Sequence, residues 1–228
     1  MKPAAWCLLL LAFAAPALAE SDGRELVPEL DAFVKLSDRA RVFLRGSLTR
    51  ETTKDTTDGE FGVHLDFSLK PILRRQLRGA DWERERYLWM RAGYVVSGDL
   101  DNRSDGSTEH RGVLELTARA PLPLETWLVN RIKLDLRDVD GASSKRYRYR
   151  LGIEREFTVG GLAWVPYAEI EAFYDTRYDV WNRRLYQVGL EIALTKTWRL
   201  EPYIAHQDDQ RSASGNLNQI GLVLKYYR

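Results

Sequence analysis

Arg146 to Phe157 reads RYRYRLGIEREF. Arg146, Arg148 and Arg150 fall at every second position with Tyr147 and Tyr149 between them, and the same period continues through Glu154 and Glu156. On a helix the three arginines would point in widely different directions. On a strand, whose side chains alternate between two faces, they share one side. The other side then carries Tyr147, Tyr149, Leu151 and Ile153. Such a two-faced strand suits a soluble antiparallel sheet with its charges in water, or a membrane barrel with its charges in the lumen.

The pattern recurs. Ten runs show it, at 40–51, 60–70, 84–97, 110–119, 127–137, 144–157, 163–175, 184–195, 198–208 and 217–227. The run EFGVHLDFSLK is the cleanest, with Phe61, Val63, Leu65, Phe67 and Leu69 on one side. Strands of soluble proteins run about 5–6 residues, whereas a tilted membrane strand needs about 9–11, and these runs match the second length. Connections alternate between short ones (121–124, 158–161, 195–197) and longer polar ones (52–59, 97–109, 138–145, 175–182, 208–216), as in a barrel with turns at one end and loops at the other. The link 71–83 breaks this alternation. The expected fold is therefore all-β: an antiparallel transmembrane up-and-down barrel of about ten strands with a charged lumen.

Residues 1–19 read as a secretory signal peptide. Lys2 gives the positive end, Trp6 to Phe13 the apolar stretch, and Ala17-Leu18-Ala19 a small-residue cleavage site. Residues 20–39 read as a lead-in with a short extended segment at 30–37, and 40–228 as the barrel. Cys7 lies within the leader and is the sole cysteine, so the exported chain has no disulfides. Without the leader it carries 33 basic and 33 acidic residues. Balanced charge gives no general attraction to nucleic acid.

The inward positions then carry both signs. They are Arg45, Asp66, Arg91, Glu115, Arg119, Arg131, Lys133, Asp135, Arg137, Arg146, Arg148, Arg150, Glu154, Glu156, Glu169, Glu171, Glu191, Arg199, Glu201 and Lys225. Basic residues dominate 131–150 and acids 154–171. Crowded in a narrow barrel, such charges must pair, so the expectation is an ion-paired lumen. Outward aromatics, among them Trp164, Trp198, Tyr147, Tyr149, Tyr174, Tyr186 and Tyr226, suit the two interfacial girdles of a membrane barrel.

Five phrases carry a resemblance: PELDAFVKLSDRARVFLRGSLTRE, FSLKPILRRQL, YRYRLGIEREF, PYAEIEAFYDTRYDVWNRRLYQVGLE and, near the end, EPYIAHQDD with LNQIGLVLKYY. Over about residues 28–227 the chain resembles an uncharacterised bacterial family, a domain of unknown function whose members are predicted outer-membrane β-barrels. The resemblance implies a barrel with an R-x-R-x-R then E-x-E signature, met by Arg146, Arg148, Arg150, Glu154 and Glu156. It implies no activity. The final residues Tyr226-Tyr227-Arg228 depart from the common ending of such barrels on an aromatic.

Catalytic patterns are sparse. His206 lies beside Asp208, and Asp99 and Asp101 of the longest loop are candidates to approach the same rim, where a His–Asp pair facing an acidic pair can activate water. No serine stands at hydrolase spacing from a histidine. The stretch DLDNRSDG (99–106) fails as a calcium loop because Arg103 sits where an oxygen ligand is required. No zinc spacing, phosphate loop or dinucleotide fingerprint is present, so no cofactor and no metal are expected. The expected location is the bacterial outer membrane after signal cleavage, as a monomer. Expected partners are outer-membrane lipid and lipopolysaccharide and the barrel-assembly machinery, with a small solute as candidate ligand. The expected role is structural or porin-like passage of a small solute. A surface hydrolase using His206 and Asp208 and a soluble periplasmic binding barrel are the alternatives.

Overall fold

The computed structural model describes residues 23–69, 86–101, 106–210 and 215–228. The leader, the 71–83 link, and parts of two polar loops (102–105 and 211–214) lie outside the described residues. The strands are β1 (Gly23–Lys35), β2 (Ala40–Glu51), β3 (Thr56–Ser68), β4 (Leu88–Asp99), β5 (Thr108–Leu122), β6 (Thr126–Val139), β7 (Ala142–Arg155), β8 (Phe157–Val159), β9 (Leu162–Asp175), β10 (Val180–Ala193), β11 (Trp198–Asp209) and β12 (Leu217–Tyr227). β8 continues β7 along β9 in one register, with Glu154 opposite Tyr167 and Phe157 opposite Trp164. The ladder lapses opposite Pro166, which has no N–H to give. The wall is thus a closed barrel of eleven staves.

Consecutive staves pair antiparallel, and the circle closes through β1 and β12, which run parallel from Gly23 opposite Leu217 to Phe33 opposite Tyr227. Parallel closure follows from the odd count: each connection reverses the chain, so the first and eleventh staves point the same way. β1 is the segment that reads in sequence as a lead-in, so among the described residues the wall already includes Gly23–Lys35 instead of starting at residue 40, and eleven staves stand where about ten were expected. Two features hide this strand. Its inward positions include Glu25, Glu29 and Asp31, and Pro28 resembles a strand breaker. Pairing with β2 does lapse there, resuming at Glu29 opposite Ser47.

The end of the barrel where β1 starts, here the N end, carries the connections 52–55, 100–107, 140–141, 176–179 and 210–216; the C end carries 36–39, 69–87, 123–125, 160–161 and 194–197. The expected long loops 52–59 and 138–145 are in fact tight turns. Polar residues such as Ser143, Ser144 and Lys145 extend the ladder because backbone pairing needs no apolar side chain. The second turn is an Asp140-Gly141 hairpin with both residues at positive φ (51° and 86°), a geometry matched to strand twist. In the 36–39 turn the Ser37 hydroxyl accepts from the Arg39 and Ala40 N–H groups. Exposed Asp38 is held below the usual carboxylate range, first by its hydrogen bond with Lys35 and then by that ammonium's charge.

Alternation sorts the side chains. Leu30, Phe61, Ile132, Leu136, Ile220 and Leu222 face outward and are about half exposed. Outward rings gather near both ends: Tyr174 meets Trp181 at 5.7 Å near the N end, and Trp198 meets Tyr226 at 4.8 Å near the C end. The inside holds charge, together with one ladder of rings. Tyr227, Phe33, Phe43 and His64 occupy one cross-strand row over β12, β1, β2 and β3. Their centroids are spaced 4.7, 4.7 and 5.1 Å. The next position in the row is Gly93, where an added Cβ would fall 2.1 Å from His64 Nδ1. Arg41 lies 4.2 Å over Phe33, Arg91 4.1 Å over Phe43, and Arg199 4.8 Å over Tyr227. The stack therefore spans the parallel seam and is gripped by cations.

Candidate functional site: the charged lumen

The arginine rank of β7 stands between two unlike neighbours. On β6, Arg131 lies opposite Arg150 and Lys133 opposite Arg148, like-charge pairs that repel. On β9, Glu171 lies opposite Arg150 and Asp175 opposite Arg146. The acids of β9 thus offset a cationic surface spread over two strands. Glu171 is the hub. Arg148 donates to it from Nε at 3.0 Å and Nη2 at 2.8 Å, and Arg150 from Nη2 at 2.7 Å. Arg150 also binds Glu169. Glu171 is 1 % exposed and Asp135 0 %, and Asp135 is flanked by Lys133 at 3.5 Å and Arg148 at 3.7 Å.

Further pairs line the interior. Near the N end, Arg137 joins Asp175 at 2.8 Å and Glu109 at 2.9 Å, Arg146 lies 3.8 Å from Asp175, and Arg111 pairs with Glu60. Toward the C end, Arg119 pairs with Glu154 and covers Trp127. Arg199 and Lys225 both reach Glu191 at 2.7 Å, and Lys225 also pairs with Glu201. Beside the seam, Arg45 of β2 binds Glu29 at 2.9 Å and Asp31 at 3.0 Å on β1. Asp66 takes Arg41 at 2.7 Å and Arg91 at 2.6 Å. Glu156 is half-buried in the gap between β7 and β8.

In the half nearer the C end the lumen widens to a cavity of about 200 Å³, lined by residues of β1, β2, β4–β7 and β9–β12. Tyr167 is central to it: its hydroxyl donates to Glu201 at 2.7 Å and accepts from Gln187 at 2.7 Å. Gly189 opposes Tyr167 across β9 and β10, and its missing Cβ leaves the ring its place, since a Cβ would sit 2.4 Å from the hydroxyl oxygen.

The residues considered for hydrolysis are not brought together. His206 and Asp208 lie on β11, and His206 Nδ1 is 2.8 Å from Asn218 Oδ1. Asp99 and Asp101 belong to β4 and the loop after it, five staves away around the wall. There Asp101 caps the Thr57 N–H at 2.6 Å, and its own N–H binds Asp99. Among the described residues, no group of three or more His, Cys, Asp or Glu side chains is disposed to hold a metal ion.

Several interior residues escape sequence reasoning. Glu29 and Asp31 were hidden with β1, Glu109 falls in an expected loop, and Arg41, Glu60, Arg111 and Asp175 sit at or next to the ends of their runs, outside the apolar alternation. The inward rings Phe33, Phe43 and Tyr227 break the rule of apolar outside and charge inside. Strand parity was the available signal: each shares its face with a charged neighbour two residues away.

In fold, the barrel is similar to LpxR from Salmonella typhimurium, with a TM-score of 0.50 and 8% identity over 82% of this chain and 83% of that one. The beta domain of the Bordetella autotransporter BrkA matches at 0.46 and 14%, over 84% and 83%. Both are outer-membrane β-barrels. At such identity the likeness to LpxR speaks to fold alone. No curated protein matches the sequence. A family model described as protein of unknown function, DUF2490, matches residues 36–218. The chain belongs to the DUF2490 family. The DUF2490 match begins after β1 and ends within β12, so it takes in ten staves wholly or in part, including the β7–β9 charge rank.

Proposed function

We propose that this DUF2490 protein is an outer-membrane barrel whose lumen is sealed by ion pairs, serving as a rigid membrane-embedded body and not as an open diffusion pore. One observation carries the reading: Asp66, Asp135, Glu171 and Arg41, all inward, are 0–1 % exposed. A general pore keeps its lumen charges in water, whereas these are withdrawn from it beside opposite charges. The bilayer setting draws on the outward apolar face: Phe61, Ile132 and Ile220 are 53–60 % exposed, more apolar surface in one band than a soluble monomer shows to water. That face also disfavours a soluble periplasmic barrel.

The test is direct. Protein purified in detergent should migrate faster on a gel unheated than boiled, and in planar bilayers should give no sustained open-channel steps. Steady conductance like that of a general porin, or a monomer soluble without detergent, would contradict the reading.

A further inference from the structure

The C-end cavity is polarised. Four of its basic residues, Arg91, Arg119, Arg131 and Arg150, come from β4–β7, whereas Glu29, Asp31, Glu169, Glu191 and Glu201 come from β1 and β9–β11. Exceptions exist on both sides: Glu115 and Glu154 on the basic wall, Arg45 and Lys225 on the acidic one. The lining is therefore close to neutral in sum but carries a charge gradient from wall to wall. An ion of either sign gains from one wall and loses at the other. A molecule with both charges gains from both.

Of the cavity's cations, Arg131 is the one least engaged by the carboxylates around it. The neighbouring Arg148 and Arg150 hold Glu171 at 2.7–3.0 Å. Arg131 instead reaches Glu115 at only 3.8 Å and Glu171 at 3.9 Å. Its Nε is buried without a hydrogen-bond partner, as is the Nε of Arg150 opposite it. A guanidinium so placed is short of the in-plane acceptors it is shaped to receive. Thr117 lies on the same wall. Across the cavity, the Tyr167–Glu201 pair and Glu29 offer acceptor oxygens.

We propose that the cavity is a binding site for a small zwitterion of the amino-acid type, its carboxylate on Arg131 and its ammonium toward the Glu29 and Glu201 wall. At ~30 Å³ per water, the space corresponds to roughly six or seven waters, which suits a compound of alanine size. The proposal rests on the barrel reading but not on whether the lumen conducts: a barrel that passed ions would still show this selectivity.

The experiment is calorimetric titration of the full-length protein in detergent with alanine, N-acetylalanine (carboxylate only) and alaninamide (ammonium only). Alanine should bind with a dissociation constant on the order of millimolar, and each single-charge analogue at least about tenfold more weakly. Arg131→Gln should abolish alanine binding while leaving the unheated gel shift in place. Equal binding of the three compounds by the unaltered protein, or no binding of alanine up to about a hundredfold above that constant, overturns the proposal. So does undiminished alanine binding in a folded Arg131→Gln protein. The analogue series needs no variant, so an Arg131→Gln chain that failed to fold would leave the test intact.

Discussion

Glu171 and Asp55 are both acids that pair with arginine, and burial separates what each pair is worth. Glu171 is all but sealed and holds Arg148 and Arg150 at once, whereas the Arg50–Asp55 side chains are 58 % and 81 % exposed. Breaking a buried pair leaves a desolvated charge behind and costs about 3–5 kcal/mol; an exposed pair is worth about 0–1 kcal/mol. Arg148→Ala should therefore lower unfolding free energy by ~3 kcal/mol, and Arg50→Ala by less than ~1 kcal/mol. Urea unfolding of both variants in lipid vesicles, followed by tryptophan fluorescence, measures the difference. Equal midpoints would mean that the lumen charges are solvated. The arginine, tyrosine and glutamate parity of 146–157 was legible from the sequence because period-two alternation is local. The partners were not, because Arg148 binds Glu171 on the diagonal, a choice made by register and side-chain reach.

At the scale of elements, the connection 123–125 carries avoidable strain. Leu124 and Glu125 both take positive φ, 66° and 57°, the left-handed region that costs a non-glycine residue about 1–2 kcal/mol. Leu124→Asn with Glu125→Gly installs residues that take positive φ more readily and should raise the unfolding free energy by ~1 kcal/mol or more. The same vesicle assay reads it, and a loss of stability would show that the turn is held by contacts of Leu124 or Glu125 instead. Elements were legible where an apolar outer face repeats, as in Phe61, Val63, Leu65 and Phe67 on β3. β1 was not, because Pro28 interrupts it and Glu25, Glu29 and Asp31 take its inward side. The tight turns after β2 and β6 were obscured because polar residues can continue a ladder as well as close a loop.

For the whole molecule, closure is the physical problem. Parallel pairing is slightly weaker per residue than antiparallel, and the odd number of staves forces a parallel seam at β1–β12. The ring ladder from Tyr227 through Phe33 and Phe43 to His64 crosses that seam, and the Arg45 contacts to Glu29 and Asp31 add ion pairs beside it. Sorting charges inward is what permits the outside to face hydrocarbon, since an arginine on the lipid face costs about 2–4 kcal/mol at the midplane. The account therefore stands on the alternation along β6, where Arg131, Lys133 and Asp135 point in and Ile132, Leu134 and Leu136 point out. In a Cys7→Ser background, single cysteines at each position from 131 to 136 can be labelled with a fluorophore and exposed to a quencher carried on lipid chains. Labels at 132, 134 and 136 should be quenched and those at 131, 133 and 135 should not. Quenching that fails to alternate, or alternates in the opposite phase, would contradict the account.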